Sequence, residues 1–318
     1  MATDRWNREL YATSSDTMGS LDPKTGALRL SGHRVLLHLT GSVSPVQAAD
    51  QVEALATVLH EATHGGMHIK AQAKRNAVWT EHSRGVMEGF AEVRTAVDLE
   101  LFAKRAGYAG LTFGDPQYPG AFAATSDLMV HITGPAYRLD TLINDGCRGP
   151  GLMHFDQFAH AAVANHLSEL THRDASTQQA IRAQLIEPML HAHWPTLPAT
   201  EADTGHAVAR EIRSKLDVKI AEIRHDYRLP PTPPTTPPPS PQPRTPQTSS
   251  TPPPAAAQLP PSASNAHTDT LNALRFLTAQ PPPTGAPRRP PQANAPRPPH
   301  HLQTTRPGSQ RAPRLQPG

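Results

Sequence analysis

Val52, Leu55, Ala56 and Leu59 fall at i, i+3, i+4 and i+7, which predicts a helix with one buried face. Its entry is a loop, Gly41-Ser42-Val43-Ser44-Pro45, with Ser44 as N-cap and Pro45 at the first helical position. Gly65-Gly66 is expected to stop the helix after His64. A second helix is expected over 80–106, with Val86, Phe90, Val93, Val97 and Leu101 as its apolar stripe and Gly107 ending it. After a loop rich in Gly and Pro (Gly110 to Gly120), a further helix over 125–142 is broken at Gly134-Pro135. Phe155, Phe158, Ala159, Ala162, Val163, His166, Leu167 and Leu170 mark another buried stripe. Two more helical stretches follow, near 174–190 and 201–227, the last with Ile212, Leu216, Ile220 and Ile223 inward. Upstream of them all, Leu28 and Leu30, then Val35, Leu37 and Leu39, alternate around Ser31-Gly32 and suggest a bent strand or short hairpin. Residues 1–26 carry turn chemistry and little periodicity. The pattern is a mostly α, α+β domain with a small β element before its first long helix.

Composition divides the 318 residues unequally, because most of the 36 prolines lie after Leu229 in a stretch almost without aliphatic residues. Such a segment cannot bury enough apolar area to offset its ordering entropy, so 229–318 is expected to be a disordered Pro/Arg-rich tail and 1–228 the folded domain. The tail's eight arginines face one acid, Asp269, so it carries +7 and the domain −4 of the overall +3. The basic excess therefore predicts no nucleic-acid site on the domain. A single cysteine, Cys147, excludes an internal disulfide and fits a reducing compartment. The N-terminus has no apolar signal region and no stretch is long enough to span a bilayer, so a cytoplasmic protein without membrane contact is expected.

The first helix ends in Leu59-His60-Glu61-Ala62-Thr63-His64. On a helix His60 and His64 project from one side, one turn apart. Two neutral imidazoles so placed can take two corners of a zinc tetrahedron, and Glu61 between them is set to act as base on a water at the open position. A hydrolytic zinc site needs a third protein ligand, expected on the next element that packs against this helix. Met87-Glu88-Gly89-Phe90-Ala91-Glu92 supplies the best candidate, with Glu81 and Glu92 as competitors to Glu88. His68 lies four after His64, whereas the metzincin spacing would put the third histidine at Lys70.

These residues resemble the gluzincin zinc metallopeptidases, and Glu-Gly-Phe-Ala looks like the matching stretch of the zinc aminopeptidases in that group. The resemblance covers about residues 52–100. It implies a zincin-like core, His60, His64 and Glu88 as zinc ligands, Glu61 as general base, and Glu92 holding a ligand imidazole by its far N–H. The interval from His64 to Glu88 is longer than in the aminopeptidases, and the Gly-x-Met-Glu-Asn stretch upstream of the motif is missing, so the likeness stays at the broader level. It further implies hydrolysis of peptide or protein substrates, with an oxyanion-stabilising Tyr or His beyond the second helix. His131, Tyr137, His154 and Tyr108 are eligible.

Cys147 has no base beside it in the sequence and is not expected to be a nucleophile. His191-Ala192-His193 is a weaker candidate for a second metal. The alternative to an enzyme is a module braced by zinc that works through its tail, whose Pro-x-x-Pro spacings could dock on a protein partner. Within that tail the proline-free island 269–279, with Leu271, Leu274, Phe276 and Leu277, reads as a segment that folds on a groove, that of a partner or of the domain itself.

Overall fold

The computed structural model describes residues 6–40, 45–67 and 75–227. Ser44, His68, Lys70 and the tail 229–318 with its apolar island lie outside the described residues. The architecture is α+β and mostly helical, with one small sheet. Three strands, β1 (Leu10–Thr13), β2 (Gly19–Leu21) and β3 (Leu28–Ser31), form a sheet in the order β1-β3-β2. β1 runs parallel to β3, pairing Leu10 with Leu28, and β2 runs antiparallel, pairing Leu21 with Leu28. Leu21, Leu28 and Leu30 pack with Val35 against Ala54 and Val58 of the first helix. Leu36–Leu39 is a short 3-10 turn, where the sequence suggested a continued strand. Two strands also lie within the stretch that showed little periodicity. β1 is an edge strand exposed along most of its length, and β2 has three residues, so neither leaves an apolar alternation to read.

Among the described residues seven α-helices follow: α1 (Ala48–Met67), α2 (Glu81–Arg105), α3 (Pro119–Ile132), α4 (Leu139–Arg148), α5 (His154–His166), α6 (Ala175–Met189) and α7 (Ala202–Asp226). α1 and α2 pack side by side, α3 lies between α2 and α7, and α4 touches both α1 and α2. Leu55 of α1 meets Leu99 and Ala103 of α2, while His60 meets Glu92. Later residues of α1 thus face earlier residues of α2, so the pair is antiparallel. The second half of α2 turns Leu99 and Ala103 toward α1, which leaves Leu101 of the expected stripe exposed. Phe90, Phe155, Phe158 and Trp194 anchor the main core, which the helices from α2 onward share.

Capping chemistry sets several ends. Asp174 accepts from the amides of Ser176 and Thr177 at the start of α6. At the end of α2, Gly107 has φ +90°. There Tyr108 N–H bonds Ala103 O and Gly107 N–H bonds Lys104 O, the paired bonds of a Schellman cap. Gly65-Gly66 behaves differently from the stop that was expected, because α1 runs through both to Met67. A Cβ on Gly66 would strike the Cys147 carbonyl of α4. The glycine serves a close helix approach rather than a C-cap.

Gly66→Ala separates these two roles. Helix propensity alone would stabilise the chain by about 1 kcal/mol, whereas the collision with α4 is expected to outweigh it and lower stability by about 1–3 kcal/mol. A lowered urea midpoint confirms the close approach, and a raised one rejects it.

Candidate metal centre

α1 presents His60 and His64 to the face of α2 that carries Glu88 and Glu92, four residues apart on that helix. His60 Nε2 and His64 Nε2 lie 3.2 and 3.1 Å from Glu88 Oε2. The two imidazole nitrogens are 3.0 Å from each other. Both rings are almost fully buried. Of the carboxylates proposed from sequence, Glu88 completes this group, while Glu81 opens α2 on the surface. Glu92, only 2% exposed, faces the back of the cluster with Oε1 3.1 Å from His60 Nδ1. Glu92 stands on the Nδ1 side of His60, while Nε2 is turned to His64 and Glu88, the side a metal would take.

The group can hold a metal ion. Three atoms on bonds of about 2.1 Å at tetrahedral angles stand about 3.4 Å apart, and this triangle falls just inside that spacing. Glu88 and Glu92 also dominate the local electrostatics. Burial would push His60 down, but hydrogen bonds and charge from the two carboxylates outweigh it and raise His60 to about 10. Burial would likewise raise Glu88, yet the facing histidines hold its carboxyl far below the usual carboxylate range.

Glu61 points from the same helix toward the sheet. Its carboxylate accepts a hydrogen bond from the Leu21 backbone N–H, and its Cγ lies 2.9 Å from where a Cβ on Gly19 would sit. Burial, helped by the charge of Glu88, raises its pKa against the opposing pull of both histidines.

Each of the four oxyanion candidates is hydrogen-bonded to another group, and Nδ1 of His154 is buried without a partner among the described residues. His131 Nε2 pairs with Asp217 at 2.9 Å, Tyr137 donates to Asp145, and Tyr108 donates to Leu39 O. His154 donates Nε2–H to Gly146 O and stacks on Phe90 with centroids 4.1 Å apart. The aromatic beside the cluster is Tyr118, whose ring lies 5.5 Å from that of His60. Burial first, then the charges of Glu88, Glu61 and Glu92, push its hydroxyl pKa up. It sits just before α3, which begins at Pro119, inside the stretch expected to be a loop to Gly120. A Tyr immediately before a helix-initiating Pro was the available signal. The preceding residue pins it: Gln117 donates its backbone N–H to Glu92 Oε2 at 3.3 Å and its side-chain amide to Thr57 Oγ1 at 3.1 Å. Gly89 completes the placement, since any side chain there would collide with Thr125 and Ala121 of α3.

The remaining candidates stand apart. His191 is committed to Glu211 at 3.0 Å and stacks on His193. A shallow cleft of about 190 Å³, lined by Leu59, Ala62, Thr63, Arg94, Cys147 and Arg148, lies on another face of α1 from the histidines. Burial pushes the Cys147 thiol up to about 12, which keeps it protonated and unreactive. Among the described residues no helix is long and apolar enough to cross a membrane. Compared with known families, characterised proteins and solved structures, the chain matches none, and the site is read from its own geometry.

Two predictions follow from these contacts. Glu92→Gln removes the charge that orients His60 while keeping the side-chain shape, so affinity for a divalent ion is expected to fall roughly 10- to 100-fold. Competition with a chelating dye measures this, and unchanged affinity would show that Glu92 does not support the ligand. His154 is held neutral by burial, its pKa lowered to about 4. Its contribution to stability is therefore complete above the unfolded value near 6.5 and is lost as pH falls toward 4. Between about pH 7 and about pH 4.5 this costs about 2 kcal/mol, a loss that His154→Met should not share. Urea unfolding of both chains at the two pH values checks it; equal losses would discard the assignment.

Proposed function

We propose that the chain is a zinc-dependent peptidase of gluzincin type that hydrolyses peptide bonds in peptide or protein substrates. The observation that carries this reading is the triangle of His60 Nε2, His64 Nε2 and Glu88 Oε2, with sides of 3.0 to 3.2 Å, and with the half-buried Glu61 on the same helix as the histidines. Two histidines and one carboxylate are the donor set of hydrolytic zinc, and three protein ligands leave a position for reactants. A zinc ion held there supplies a Lewis acid for a substrate carbonyl and makes nearby water more acidic.

The chain's own residues provide the rest. Glu61 takes the proton of the attacking water and delivers it to the departing amine, a task suited to a carboxylate whose pKa is raised. Tyr118 supplies an O–H beside His60 for the oxyanion that develops on the carbonyl. Glu92 acts at two places, with one oxygen facing His60 and the other accepting from the residue before Tyr118. A purely bracing zinc site has no use for Glu61, which is why the catalytic reading is preferred to the non-catalytic module.

The full chain is expected to bind about one zinc, with His60→Ala and Glu88→Ala losing most of it. Glu61→Gln should keep the metal and lose about 10³-fold or more in kcat on a quenched fluorescent peptide library. Tyr118→Phe should keep the metal and lose about 10- to 100-fold in kcat. A wild-type chain loaded with zinc but inert on the library, or Glu61→Gln as active as wild type, would refute the proposal.

A further inference from the structure

The space in front of the cluster is bordered by acids. Glu88 belongs to the cluster, Glu61 stands close enough for its charge to act on the Tyr118 hydroxyl, and Glu92 lies on the Nδ1 side of His60. Among the described residues, a basic group whose charge also acts on the Tyr118 hydroxyl is Arg84. It precedes Glu88 by one helical turn, so Arg84, Glu88 and Glu92 form one i, i+4 row along α2. Its side chain is exposed, and among the described residues no hydrogen bond or ion pair holds its guanidinium. Arg94 on the same helix, Arg29 in β3 and Arg34 just after it are differently placed. Arg94 is bound by Asp98 and Asn144, Arg29 by Asp22, and Arg34 faces Glu53. The positive charge of Arg84 is felt at the Tyr118 hydroxyl, the same hydroxyl that feels Glu61 and Glu88. Arg84 thus lies one helical turn from Glu88 and within electrostatic reach of Tyr118, the residue beside His60.

We propose that Arg84 selects substrates carrying a carboxylate, from a free C-terminus or an acidic side chain, about two residues from the scissile bond. The inference rests on the peptidase reading and names its substrate class. Four residues of helix rise about 6 Å, and two residues of extended peptide span about 7 Å, so a carbonyl at the cluster and a carboxylate at Arg84 fit one strand. A planar guanidinium fork matches a carboxylate with two parallel hydrogen bonds. The acidic surroundings sharpen the selection. Glu61 and Glu88 together neutralise a divalent ion, and Arg84 adds the charge that would favour an anionic group over a neutral one.

The test uses the full chain loaded with metal and two matched ligand sets. The first is fluorogenic peptides differing only in a free or amidated C-terminus, or in Asp against Asn two residues from the cleaved bond. The second is a mercaptoacetyl dipeptide with a free or amidated end, its binding to the cobalt(II) form followed by visible absorption. Wild type is expected to favour the acid of each pair by roughly tenfold, in KM or Kd. Arg84→Ala should collapse that ratio, Arg84→Lys keep part of it, and Arg84→Glu invert it. The C-terminal and side-chain arms tell the two carboxylate sources apart. Equal binding of the thiol pair by wild type, no binding at all, or an undiminished ratio in Arg84→Ala overturns the proposal. Arg84-dependent discrimination between the thiols with no peptide cleaved keeps the carboxylate site and removes the peptidase.

Discussion

The structure depends on one constraint: a buried and a half-buried carboxylate are held against two imidazoles between α1 and α2. Glu92 is 2% exposed and Glu88 lies beside it on the same helix, an arrangement that repels and is costly away from water. The antiparallel pairing of the helices places His60 and His64 opposite both acids, with ring nitrogens 3.1 to 3.2 Å from carboxylate oxygens. Removing any one of them leaves a buried charge or donor without its partner, which is more damaging than replacing the whole set. The site is thus also a determinant of how α1 and α2 dock. Leu55, Leu99 and Ala103 provide the apolar remainder of that interface, farther along both helices.

Small residues carry the constraint outward. Gly89, between the two acids in sequence, lets α3 approach α2 and brings Tyr118 at its start beside His60. Gly66, two residues beyond His64, lets α4 approach α1 at the other edge of the cluster. Each glycine costs helix stability relative to alanine, and each does so where a Cβ would force helices apart that hold the site. Glu92 then ties these levels together. Its two oxygens serve a ligand imidazole and the Gln117 amide, so the same buried charge sets a candidate ligand and the chain that presents Tyr118.

What the sequence made legible follows from distance along the chain. The helices have long, regular apolar spacing, and His60, Glu61 and His64 are positioned by one turn of one helix, so local geometry suffices to place them. Glu88 and Glu92 repeat the same one-turn logic on α2. Tyr118 and Gln117 depend on where α3 docks, which is a tertiary matter, and the Gly and Pro around them read as loop although Pro119 starts a helix. Gly65-Gly66 misled for a related reason: a glycine that ends a helix and one that admits a neighbouring helix are identical in sequence. The edge strands escaped because exposure removes the alternation on which strands are recognised. His131, Tyr137, His154 and Tyr108 qualified only as residue types, and partners such as Asp217 and Gly146 O, remote or hidden in sequence, claim them.

The remaining question is what such a cluster is for, and its asymmetry bears on that. A zinc that only braces a fold is closed by four protein ligands, commonly rich in cysteine. Among the described residues three side chains converge here, and the chain's one cysteine lines a cleft on another face of α1 with its thiol held protonated. The groups that surround the triangle are also divided by chemistry. Glu92 and Gln117 lie behind it and are fully engaged with His60, Thr57 and each other. Glu61 and Tyr118 lie beside it, and their pKa values are raised mainly by burial. A supporting side that is fixed and a second side bearing a proton acceptor and a proton donor is the division that hydrolysis requires. Bracing would need only the first of these sides. That difference, rather than the histidine motif alone, is what favours an enzyme.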